Sequence, residues 1–253
     1  MDTDSSLALL FLSVAGVVAG VINTMAGGGS FLSIPALMLL GLDPATANAS
    51  NRLAVLVQSA VASFVFYREG KLELRRGFIW SIIMTIGAAA GAYTATALDE
   101  EKFVVWFGIL FVGMSMISVR KSTLQTAATQ TTQNYMRNLL FPALVGIGFY
   151  GGFIQAGVGI LILLFLGLAM NSELVEANGF KNFMVLFYTF PVLFIFAVKG
   201  LIDYRSGACL AAGNVLGGYI GARLSMRIHP QALTYFVSLV AFVTGLTLIF
   251  RTF

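Results

Sequence analysis

The chain of 253 residues is 58% hydrophobic and only 10% charged, with a mean hydropathy of +0.89. Soluble domains carry about 25% charged residues, so this composition excludes a soluble surface and, equally, a disordered chain. Five Pro and one Cys exclude a collagen-like or disulfide-stapled chain as well. What is left is a polytopic membrane protein, its 27 Gly and 22 Phe suiting helices packed in lipid. The pI near 9.3 does not indicate nucleic acid. The 15 Lys and Arg stand between apolar blocks as flanking charges and form no basic face interleaved with aromatics. Cys209 lies among small apolar residues and reads as packing. Met1-Asp2-Thr3-Asp4 lacks the positive start of a signal peptide, so the first apolar run is expected to be kept.

From Ser5 to Leu42 no charged residue occurs. At ~1.5 Å per residue that stretch outruns a hydrocarbon core of ~30 Å. Its middle, Asn23-Thr24-Met25-Ala26-Gly27-Gly28-Gly29-Ser30, breaks any helix. Two helical arms are therefore predicted, over 7–23 and 30–41. Asp43-Pro44 supplies an N-cap and an N1 proline for the next helix, 45–67. Helices over 77–98 and 103–119 follow, then a Thr/Gln/Asn-rich loop over 121–134. The second part of the chain gives arms over 138–155 and 160–170 and helices over 175–198, 204–226 and 230–250.

The two halves read as one unit written twice. A shift of 130 residues, without a gap, superposes Ala26-Gly27 on Ala156-Gly157, Gly29 on Gly159 and Ala47-Asn48 on Ala177-Asn178. It also superposes Gly16 on Gly146, Gly70 on Gly200, Arg75 on Arg205 and Gly77 on Gly207, and carries Gly87 and Gly91 onto Gly217 and Gly221. The organisation expected is an all-α helical bundle of two four-element repeats with glycine-broken first helices. The repeats are 1–120 and 138–253, joined by a polar linker over 121–137 into one transmembrane domain. If each broken segment goes in and comes back, the halves cross an odd number of times and are inverted. Arg68, Lys71, Arg75, Arg76, Arg120, Lys121, Arg137, Lys181, Arg223 and Arg227, ten of the fifteen cations, then share one side, which would be cytoplasmic. A parallel arrangement gives ten against five too; segment length favours the hairpin, and with it inverted halves with both termini outside.

Polar groups inside a bilayer are costly, so their placement points to a site. Helix 45–67 opens with Asn48, Asn51 and Arg52 at i, i+3 and i+4, on one face. The equivalent helix repeats the spacing with Asn178, Lys181 and Asn182. Each half thus sets one cation among amides on an otherwise apolar helix. The breaks add Gly27, Gly28, Gly29 and Ser30 in one half and Gln155, Gly157 and Gly159 in the other. The unwound N-terminus of a half-helix presents unpaired N–H groups and the positive end of a helix dipole. Together these residues predict a pocket for a small anion.

Enzyme chemistry finds little support. His229 is the sole histidine, beside Pro230 at a helix boundary, and no two-His metal motif or G-x-S-x-G elbow occurs. No catalytic residue, metal site or cofactor is therefore expected. The acids lie in the termini or near helix ends, with Glu176 nearest to the second polar stripe. No nucleotide-binding loop is present.

Gly16-x3-Gly20, Ala26-Gly27-Gly28-Gly29-Ser30, Pro35 and Gly41-Leu42-x-Pro44 with Ala47, and the echo Gly148-x2-Gly151-Gly152-x4-Gly157-x-Gly159, resemble the TauE/SafE sulfite-exporter family over about residues 7–250. The chain departs from that pattern after Ala47, where Asn48 stands instead of a Gly-Thr pair, and at Phe165, which faces Pro35 in the repeat. The resemblance implies a multi-pass transporter in the bacterial inner membrane that moves sulfite or an organosulfonate. It implies a substrate region at the two breaks and the polar helix starts. A proton or sodium ion would be the coupling ion, and the partners are the anion and the lipid bilayer. A passive anion channel and an intramembrane enzyme are the competing readings.

Overall fold

The computed structural model describes residues 6–126, 136, 138–170, 174–228 and 231–252. Helices α1 (Ser6–Ala26), α2 (Ser30–Leu39), α3 (Pro44–Arg68), α4 (Leu74–Ala97) and α5 (Glu100–Thr126) come first. Then follow α6 (Leu140–Phe153), α7 (Val158–Met170), α8 (Leu174–Val198), α9 (Tyr204–Ser225) and α10 (Gln231–Thr252). Among the described residues there is no strand. Five helices, α1, α3, α4, α5 and α8, are long and apolar enough to cross a membrane.

The starts follow from the residues. Asp43 accepts from the N–H groups of Ala45 and Thr46, both at 3.0 Å, with Pro44 at N1 of α3. Asp203 caps α9 by accepting from Ser206 N at 2.7 Å. The helix boundaries differ from the sequence reading by up to three residues, α1 running on to Ala26 rather than ending at 23, and most at the end of α5, where residues 121–126, predicted as loop, continue the helix. No Gly or Pro stands between Gly113 and Pro142 to stop the helix, so a polar composition alone does not end it. The rest of the predicted loop, His229, Asp2, Asp4 and Glu173 lie outside the described residues.

Helix α1 packs along α9, and α6 packs along α4. These contacts are backbone to backbone: a methyl group on Gly213 or Gly217 would collide with the carbonyls of Ser13 or Val17, and one on Gly152 with that of Ala88. Lipid gives no hydrophobic drive between helices, so close approach of small residues supplies the dispersion energy instead. Helix α3 is central, with 67% of its span buried against 39–44% for the other four. It touches α8, α9 and α2, and α8 in turn touches α4 and α7. Outward-facing Leu10, Phe64, Tyr93, Phe190, Phe194 and Phe250 are exposed, an apolar coat suited to lipid.

Candidate functional site

The two breaks meet in the interior. Gly27 (φ +87°), directly after α1, and Gly157 (φ +77°), directly before α7, take left-handed conformations that redirect the chain at the two breaks. Gly27 lies directly on Gly159, so the breaks cross backbone to backbone. Gly29 backs onto Ala19 and Asn23 of α1, so the chain folds onto α1 at the break. Gln155 is the one non-glycine residue with a positive φ, +65°, among those described.

At the N-terminus of α2, Gly28, Gly29 and Ser30 give their N–H groups no backbone acceptor among the described residues, as the first turn of a helix requires. Asn51 anchors this end. Its amide donates to Ser30 Oγ at 3.0 Å and its carbonyl accepts from Ser33 Oγ at 2.6 Å.

The two buried cations hold the other ends. Lys181, 2% exposed, donates from Nζ to Asn23 O at 2.7 Å, Thr24 O at 2.6 Å and Asn178 Oδ1 at 2.9 Å. Arg52, with no exposed surface, donates to Gly151 O at 3.1 Å and Gly152 O at 2.6 Å and lies 4.7 Å from the Phe196 ring centroid. Asn48 joins it by donating to Phe153 O at 3.2 Å. Each cation thus sits at the C-terminal carbonyls of a broken helix, where the helix dipole is negative. The pairing is crossed: α8 holds the end of α1, and α3 the end of α6. No carboxylate is buried with them among the described residues.

A small cavity of about 10 Å³, room for the centre of about one water, opens between the breaks. Ser30, Gln155, Gly159, Lys181 and Asn182 line it, together with Asn23, Val55, Val158 and Val185. Gln155 is 2% exposed, and neither its amide oxygen nor its amide nitrogen has a hydrogen-bond partner. An unpaired buried amide costs roughly 1–3 kcal/mol.

Of the residues singled out from sequence, Gly27, Gly28, Gly29, Asn48, Asn51, Arg52, Gly157 and Asn178 do not line the cavity. Gly27 and Gly29 meet protein backbone and Gly157 meets Phe31 and Met114, while Gly28 faces the tips of Val237, Ile160 and Phe31. Gln58 was missed. Its amide nitrogen donates to Thr24 Oγ1 at 2.8 Å and Asn182 Oδ1 at 2.9 Å, and its oxygen accepts from Asn23 at 2.5 Å. It follows Asn51 by two turns of one helix face, a spacing that extends the polar stripe. Asn23, quoted only as part of a helix break, lines the cavity itself. Tyr188, fully buried with an unpartnered hydroxyl, gave no signal in an aromatic-rich helix.

Comparison with known proteins is consistent along the chain. The profile of the family "Sulfite exporter TauE/SafE" matches residues 12–248. A probable membrane transporter protein of Haemophilus influenzae is 29% identical over 243 residues, 94% of this chain and 92% of that protein. The probable membrane transporter protein YfcA of Escherichia coli K12 is 25% identical over 97% of this chain and 91% of its own length. YunE of Bacillus subtilis, also a probable membrane transporter protein, is 21% identical over 97% of this chain and 98% of its own. With a match of that extent over an all-helical, multi-span fold, the chain belongs to the TauE/SafE family of membrane transporters.

Proposed function

We propose that the chain transports a small anion, sulfite or an organosulfonate, bound between the two breaks. The observation that carries this reading is Gln155: a buried amide without a partner, bordering a cavity that Lys181 also lines. Ser30, whose N–H has no backbone acceptor among the described residues, lines the same cavity, and an anion leaving water needs such donors and a positive charge. Because the cavity admits about one water, this form is occluded, and the halves part to take the anion in. All three donors of the Lys181 ammonium meet oxygens. The anion therefore competes with the end of α1 for Lys181, and that competition links binding to movement of the break.

The duplicated, inverted organisation is part of the same reading. The 130-residue shift carries α1 onto α6 and α4 onto α9, and the pairings α1 with α9 and α4 with α6 exchange under it. The fold of the chain onto α1 at Gly29 supports the hairpin that an inverted arrangement needs. A passive anion channel is the second reading, favoured by the lack of any buried carboxylate among the described residues to carry a coupling proton. Reconstitution into liposomes with an imposed proton or sodium gradient separates the two. A transporter accumulates the anion above its electrochemical equilibrium, and a channel stops there.

A further inference from the structure

Helices α5 and α10 run antiparallel, with Gly108 beside Gly245 and Ile249. Toward the Arg120 end of the pair lies an open groove of about 410 Å³. Its walls are Met116, Val119, Leu239 and Phe242. The two hydroxyls in those walls are spent on their own helices: Ser115 Oγ donates to Val112 O at 2.6 Å and Ser238 Oγ to Thr234 O at 2.8 Å. The walls therefore offer a ligand apolar contact only.

One end of the groove is different. Arg120 and Tyr235 stand there, both exposed. Arg120 is the last residue of the candidate span Glu101–Arg120, which puts its guanidinium at the depth where cations and tyrosines sit on a membrane boundary. Arg120 takes no part in the ion pairs Arg76–Glu73, Lys102–Asp99 and Arg223–Glu69 seen among the described residues. An apolar slot at hydrocarbon depth beneath an unneutralised cation has the shape and charge of a phospholipid site. A second copy fits less well, because a twofold axis along the bilayer normal would bring its own Arg120 to the same end.

We infer that this groove holds a membrane phospholipid, its acyl chain along Met116 and Phe242 and its anionic headgroup on Arg120. The test uses the purified full chain in neutral detergent, titrated with phosphatidylglycerol or with phosphatidylcholine of identical chains, and native mass spectrometry to count retained lipid. The wild type retains the anionic lipid about fivefold better, the preference that one interfacial cation supplies. Arg120→Gln removes that preference and leaves phosphatidylcholine retention unchanged, whereas Leu239→Trp fills the groove and lowers retention of both lipids. Both positions are exposed, so neither change disturbs the core. Equal retention of the two lipids by the wild type, or a preference that survives Arg120→Gln, would overturn the inference. So would a dimer that Leu239→Trp dissociates with no lipid retained, which assigns the groove to a second copy.

Discussion

Lys181 on α8 donates its ammonium to the backbone carbonyl of Thr24 in the last turn of α1, at 2.6 Å. The contact binds one half of the chain to the break of the other, and it is made by the cation that lines the cavity. Lys181→Gln is therefore expected to lose anion transport, with roughly 2–5 kcal/mol of anion affinity removed. Lys199→Gln, at an exposed helix end far along the same helix, serves as the control and transports normally. Initial rates at matched membrane abundance make the comparison.

Arg52 makes the mirror contact but faces away from the cavity. Its guanidinium satisfies Gly151 and Gly152, so its removal acts first on stability. Arg52→Gln is expected to lower the free energy of unfolding by about 2–3 kcal/mol, the worth of charge-assisted hydrogen bonds left unmade. Arg52→Lys recovers only part, since an ammonium lacks the planar fork that spans two carbonyls. Thermal melting in detergent reads both. Wild-type melting of Arg52→Gln would show that the α6 end holds itself.

Gln155 separates stability from function. Its φ of +65° costs an L-residue about 1–2 kcal/mol, and its amide has no internal partner to lose. Gln155→Gly should melt at or above the wild-type temperature and yet transport poorly. A variant that melts lower and transports normally would assign Gln155 to the fold alone.

The glycine row divides the same way. Gly27→Ala and Gly29→Ala push a methyl into the backbone of Gly159 or Ala19, and Gly27 carries a positive φ besides. Both should reduce folded protein in the membrane severely. Gly28→Ala meets only the movable tips of Val237, Ile160 and Phe31 and should accumulate near wild-type levels. Fluorescence-detected size exclusion measures each.

Inversion of the halves is tested by topology. With Cys209 replaced by Ser, Glu69→Cys and Lys199→Cys occupy equivalent exposed helix ends. They should react with an impermeant thiol reagent from opposite faces of the membrane. Labelling from one face would make the repeats parallel.

Much of the helical layout was legible because its signals are local. The uncharged run from Ser5 to Leu42, the glycine break and Asp43-Pro44 each mark a boundary within a few residues of where they stand. The end of α5 is not legible in the same way, because a polar composition does not by itself stop a helix where no Gly or Pro follows. The polar stripes were legible as faces, since spacing gives direction around a helix. What each side chain on them meets was not. Arg52 and Lys181 look alike in sequence, and only the crossed packing of the halves sends one to α6 and brings the other to the cavity. The same holds for Gln155: nothing local marks a glutamine as left-handed and unpartnered.

The most direct test is sulfite flux in proteoliposomes, run beside a panel of organosulfonates and carboxylates, with wild type and Lys181→Gln at equal protein content. Sulfite or an organosulfonate is expected to move through the wild type, carboxylates of similar size to move less, and Lys181→Gln to abolish the flux. A wild type that carries none of the sulfur anions, or a Lys181→Gln variant that carries them at the wild-type rate, would contradict the proposed function.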